Sequence, residues 1–213
     1  MDQVWYAGYG SNLAWERFRC YLRGGRPEGA ARELSGARDH ADPDAVEPVE
    51  LAGTVYFAWE SPTWGGGIAF YDASAGGTSL GRAYLVTTGQ FADIAAQEMH
   101  REPGRDLAVD AFAGLVGAGQ LVLGRGRYET LHVVGEIAGI PVVTFTSSGE
   151  DDPLPLHPPR AAYLQMMARG LADAHGLDDA AVVDYLLDRP GCRPTWTRET
   201  LTRVVKGPVA EGA

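Results

Sequence analysis

The stretch Val4-Trp5-Tyr6-Ala7-Gly8-Tyr9-Gly10-Ser11-Asn12-Leu13 decides the fold. Residues 4–7 are a short β-rich apolar run. A glycine loop follows, and then Leu13, Trp15, Phe18 and Leu22 recur at helical spacing. The order is strand, glycine loop, helix. Two glycines let the backbone turn sharply and approach a ligand closely, while Ser11 or Asn12 can cap the helix. The free N–H groups at a helix start attract a carboxylate or an oxyanion. Spacing alone also describes a plain strand-to-helix turn. Ser11 lacks the GxSxG elbow of a hydrolase nucleophile.

Outward from this stretch, residues 23–50, rich in Gly, Pro, Arg and Asp, show no sustained period and read as a long surface connection. Strands are predicted at 54–59, 68–71 and 82–87, and a helix at 89–99. Residues 100–125 read as irregular or partly helical, and 128–136 and 140–146 as a hairpin. The period then changes. Tyr163, Met166, Met167, Gly170, Leu171 and Ala174 mark a helix that Gly176 ends, and a last helix is predicted over 179–188. Strands dominate the middle and helices the end, without regular βαβ alternation. The class is therefore α+β with a mixed or antiparallel sheet that can close into a barrel.

Composition narrows the chemistry. A chain of 213 residues with 45% apolar and 22% charged residues has the makeup of one folded domain. At this size roughly 70% of the unfolded surface can be buried without a disulfide or structural metal. Lys206 is the single lysine among 18 basic residues, which excludes a Schiff-base or phosphate-loop lysine in any interior motif. A net charge of −10 opposes nucleic acid and anionic lipid, so a small molecule or a protein is the expected partner. The longest uncharged stretch, residues 111–124, falls short of the ~20 residues of a membrane span. No signal peptide is expected from Met1-Asp2-Gln3. With Cys20 and Cys192 in no metal or redox spacing, a reducing cytoplasm is the expected location.

Glu98 is the most informative side chain. Phe91, Ile94, Ala95 and Glu98 fall at i, i+3, i+4 and i+7, which puts a carboxylate at the end of an apolar stripe. Such a group must be paired, hydrogen-bonded or raised in pKa, and the last of these yields a general base. A bond to Arg101 or a backbone amide is the structural alternative. Gly65-Gly66-Gly67 could admit a ligand or bend a strand, and Tyr128 and Tyr163 could offer hydroxyls from apolar surroundings. The run Asp39-His40-Ala41-Asp42 holds ordinary zinc-ligand types but lies in predicted loop, and no HExxH spacing occurs.

Taken in order, these segments resemble the γ-glutamylcyclotransferase-like family, which includes proteins named AIG2-like. Residues 4–13 are similar to its substrate-binding YGSNL loop, and Trp64-Gly65-Gly66-Gly67-Ile68-Ala69 to its WxGGIA stretch. Glu98 falls where its catalytic glutamate closes the following helix. Gly126-Arg127-Tyr128 resembles a GxY strand start, and Tyr163 through Gly170 to Gly176-Leu177 resembles its YxxxxxxG…GL helix.

The resemblance implies a small mixed β-barrel with peripheral helices, a domain over 1–188 with an insertion at about 99–127, and an extension over 189–213. It implies that a γ-glutamyl amide is cyclised to 5-oxoproline with release of an amine or amino acid, without metal or cofactor. Glu98 would be the general acid/base, and Tyr9, Gly10, Ser11, Asn12, Leu13, Gly66, Tyr128 and Tyr163 would bind the small-molecule γ-glutamyl substrate. Two other readings stay open. One is a metal-dependent amide hydrolase or deacetylase using Asp39, His40 and Asp42. The other is a binding module that keeps the pocket without turnover. The sequence specifies neither the leaving group nor the oligomeric state.

Overall fold

The computed structural model describes residues 2–104, 109–147 and 154–207. Its centre is β1 (Gln3–Gly8), buried almost throughout. Antiparallel to β1 runs β5 (Thr78–Thr87), and parallel to it β8 (Ile140–Thr146). β2 (Ala45–Ala52) flanks β5, and β7 (Thr130–Ile137) followed by β6 (Gln120–Val122) flanks β8, giving the order β2-β5-β1-β8-β7-β6. β3 (Thr54–Ser61) and β4 (Gly66–Asp72) form a separate antiparallel hairpin. The class is the expected α+β with a mixed sheet and peripheral helices, and the β-wall is built in two pieces.

The alternation of β1 builds both cores. Trp5 and Ala7 point into a cluster shared with the β3–β4 hairpin and with α4 (Ala161–His175), α5 (Asp179–Leu187) and α6 (Arg198–Lys206). Val4 and Tyr6 point the other way, into a cluster with α1 (Trp15–Arg23) and α2 (Thr88–Glu98). Successive strand side chains face opposite sides, so one strand is enough to join the two layers. The expected helix α2 starts where Thr87 and Gln90 form a reciprocal capping box. α4 ends at Gly176 in the left-handed conformation, as its glycine predicts.

Three features go beyond the sequence expectation. Residues 45–50, read as connection, begin β2, an edge strand whose mostly exposed side chains and Pro48 erase any two-residue period. Residues 100–125 include α3 (Val109–Ala118) and β6, whose Leu115 is buried in the α1–α2 core. The extension carries α6, with Leu201 buried in the other core and Val204 accepting from Gln165 Nε2 at 3.0 Å. Residue 188 thus marks where the resemblance stops, not where packing stops. Among the described residues no helix is long and apolar enough to cross a membrane.

Candidate active site

β1 ends in the glycine loop, and the loop passes into a 3-10 turn, Ser11–Leu13, before α1 begins at Trp15. Neither Ser11 nor Asn12 therefore caps α1: the N-cap is Ala14, with no side-chain bond. The reason lies in tertiary contacts. Tyr84 donates its hydroxyl to Asn12 O at 2.8 Å, and the Asn12 side chain is committed inward. Gly170 of α4 lets that helix lie directly on the turn, since a Cβ there would come within 2.4 Å of the Leu13 backbone carbon. Leu13 is consequently packed beneath α4 and does not line the cavity.

Glu98, half-buried, closes α2 and faces the loop. A carboxylate at a helix C-terminus opposes the helix dipole, so partners elsewhere must hold it. Its Oε1 accepts from Asn12 Nδ2 at 3.0 Å and from the hydroxyl of Tyr21 through a short bond. Asn12 Nδ2 also donates to Tyr6 Oη at 2.8 Å. Of the alternatives open for this carboxylate, the structure uses hydrogen bonds from α1 and the loop. Arg101 pairs with Glu129 instead, at 2.6 Å.

Behind Tyr21 lies Arg17, one helical turn earlier and 7% exposed. Its Nη2 donates to Tyr21 Oη at 2.8 Å, and its guanidinium lies 4.5 Å from the Tyr21 ring centroid. Nε and Nη1 are buried without a partner among the described residues. The result is a chain of guanidinium, phenol and carboxylate. Burial, and then the neighbouring Glu98 charge, push the Tyr6 phenol well above its ordinary value. Burial does the same to Tyr21, against the opposing pull of Arg17, so both phenols stay protonated near neutral pH.

The other wall is the β3–β4 hairpin. The Ala69 amide donates to Tyr163 Oη at 3.0 Å, and the Ala69 carbonyl accepts from Tyr128 Oη at 2.8 Å. Tyr9 donates to Phe145 O at 2.8 Å. Gly10 is needed where it stands, because a Cβ would come within 2.7 Å of the Tyr163 hydroxyl. Together these groups enclose a cavity of about 170 Å³ lined by Tyr9, Gly10, Ser11, Asn12, Glu98, Tyr128 and Tyr163. Gly66 sits outside it, pressed against Arg160.

Tyr6, Arg17 and Tyr21 are lining residues that the sequence reading missed. Their one sequence signal is the i, i+4 spacing of Arg17 and Tyr21 on α1. The tempting metal run does not converge: Asp39 accepts from the Ala41 amide at 3.0 Å, and Asp42 pairs with Arg23 at 2.7 Å. Among the described residues no group of three His, Cys, Asp or Glu side chains could hold a metal ion.

No family model matches the chain. It is 30% identical to histone deacetylase 5 of Arabidopsis thaliana over 212 residues, covering 88% of this chain and 31% of that protein. The chain thus spans about a third of the length of the curated relative it matches. Among solved structures, one named gamma-glutamyl cyclotransferase matches at TM-score 0.52 and 16% identity, over 96% of this chain and 99% of that one. The Homo sapiens protein loc79017 matches at TM-score 0.53 and 16% identity, over 97% and 100%. What this chain shares with these two structures is the γ-glutamyl cyclotransferase fold.

Proposed function

We propose that the protein cyclises a γ-glutamyl amide to 5-oxoproline, releasing the amine or amino acid that carried the glutamyl group. The α-amine attacks its own side-chain carbonyl, a carbon–nitrogen bond forms, and the bond to the leaving nitrogen breaks. No water and no enzyme nucleophile takes part. Ring closure needs the glutamyl chain curled with its reacting atoms ~3 Å apart, and holding that geometry supplies several kcal/mol.

One observation carries the reading: the two oxygens of Glu98 are inequivalent. Oε1 is fixed by Asn12 and Tyr21, while Oε2 enters none of the hydrogen bonds described. Oε2 is then the atom that takes the ammonium proton and returns it to the leaving nitrogen. Within the loop, the Leu13 amide is spent on Gly10 O at 3.0 Å. In this proposal the loop amides of Gly10 and Asn12 hold the developing oxyanion. Tyr128, whose proton goes to Ala69, keeps its hydroxyl oxygen as an acceptor for the substrate. We further propose that residues 1–188 form the catalytic unit and that the protein works in the cytoplasm without a metal or cofactor.

Incubation of the protein with γ-glutamyl compounds, scored by mass for 5-oxoproline against glutamate, tests the reading. 5-Oxoproline formed equally with and without chelator supports it. Glutamate as the product points to hydrolysis, and binding without product points to a module that keeps the pocket alone.

A further inference from the structure

The mouth of the cavity carries a charge that its floor does not require. In a protein of net charge −10, the lining includes Arg32 and Arg127. Among the described residues neither is paired with a carboxylate. Arg32 Nη1 meets His100 Nδ1 in a short contact, and the Arg127 guanidinium lies 3.4 Å from the Trp59 ring centroid. The lining carboxylates are Glu98, already held by Asn12 and Tyr21, and Glu129, which accepts from Arg101 at 2.6 Å and the Gly126 amide at 2.7 Å. Burial, and then Arg32, push the His100 imidazole below its ordinary value, so at neutral pH it adds a neutral ring to this rim.

The backbone marks the same place. Trp59, His100 and Tyr128 have φ of 54°, 59° and 66°, and they are three of the four non-glycine residues with positive φ among those described. All three line this cavity. Bulky side chains in the left-handed region are strained and persist where the surroundings demand them. Here the demand is shared by residues that aim Trp59, with Arg127 stacked on it, and the His100–Arg32 pair at the entrance.

We propose that Arg32 and Arg127 select the leaving half of the substrate: one with two negative charges is preferred over one with a single charge, and diamines are rejected. The inference rests on the cyclisation reading, since it takes the glutamyl half to occupy the floor at Glu98. Two guanidinium forks without acidic partners match two carboxylates, or a phosphate, bidentately. An ammonium at the same mouth meets like charge.

The test compares γ-glutamyl-glutamate, γ-glutamyl-alanine, γ-glutamyl-propylamine and γ-glutamyl-putrescine. Binding is read by calorimetry on full-length Glu98→Gln protein, and 5-oxoproline by mass on the wild type. Calorimetry of the wild type with succinate, propionate and putrescine, none of which carries a glutamyl group, gives a second reading independent of that variant. The expected result is affinity falling in the order given, by roughly fivefold to tenfold per charge lost. Arg32→Gln and Arg127→Met should compress the first three compounds to within about threefold. Equal affinities, preference for putrescine, or an order unmoved by both variants overturns the assignment. Binding ordered by charge with no 5-oxoproline from any compound sinks the cyclisation reading and leaves the rim assignment standing.

Discussion

Asn12 on the glycine loop and Glu98 at the end of α2, 86 positions apart in sequence, are joined at 3.0 Å from Nδ2 to Oε1. The bond couples the loop after β1 to the C-terminal end of α2. It also holds Oε1, which accepts from Tyr21 as well, and so distinguishes the two carboxylate oxygens.

Replacing Glu98 with Gln keeps size but removes the proposed proton acceptor. Turnover to 5-oxoproline should fall by about 10²–10⁴, the usual contribution of a positioned acid/base group. Asn12 and Tyr21 keep an oxygen to donate to, so the melting temperature should move by no more than a few degrees. Retained turnover in the variant would remove Glu98 from the mechanism.

Tyr21→Phe deletes a donor to Glu98 and leaves the buried Arg17 guanidinium with no hydrogen bond from its Nη2 to a phenol. An unsatisfied buried polar group costs about 1–3 kcal/mol, so a denaturant midpoint should drop measurably. If the phenol only supports the fold, kcat per folded molecule should stay constant. We expect it to fall about tenfold or more, with KM nearly unchanged, because in the proposed mechanism Tyr21 orients Glu98 and not the substrate.

Gly170→Ala forces a methyl into the Leu13 backbone. Overpacking of this kind costs about 1–3 kcal/mol, and the strain falls on the turn that carries Ser11 and Asn12. Stability and turnover should therefore fall together, whereas an alanine at the exposed Gly139, on the far hairpin, should leave turnover alone. Loss of stability with unchanged turnover would show that α4 does not shape the loop.

Burial raises the phenols of Tyr6, Tyr9, Tyr21 and Tyr128 well above the ordinary value of 10.0 and that of Tyr163 to about 12. The unfolded chain loses these protons near pH 10, before the folded protein does. The stabilisation is thus complete below about pH 10 and is lost as pH rises toward the folded values. Melting temperature should decline above about pH 10, with tyrosinate absorbance appearing in step with unfolding. Smooth ionisation of all the tyrosines in still-folded protein would contradict this.

Much of the frame is legible in the sequence because it rests on local patterns. β1 shows as an apolar run before a glycine loop, α4 as a 3.6-residue stripe ending at Gly176, and the position of Glu98 follows from Phe91, Ile94 and Ala95 on the same face. What escapes has non-local causes. Ser11 and Asn12 look like helix caps, yet Tyr84 and Glu98 claim Asn12 from across the fold. Arg17 and Tyr21 reach Glu98 only because α1 packs on α2. The rim at Trp59, His100 and Arg127 depends on backbone angles that no composition rule announces. β2 and α6 are hidden by exposure, with Leu51 and Leu201 as their buried anchors.

The two-sided use of β1 has one last implication. Trp5 and Ala7 are locked into one layer and Val4 and Tyr6 into the other, and the loop hangs directly from the strand's end. A single residue inserted or deleted ahead of Gly8 would exchange the layers and rotate residues 9–12 by half a turn. Strand phase is then a heritable constraint on the chemistry, and variation in this segment must come by substitution, not by change of length.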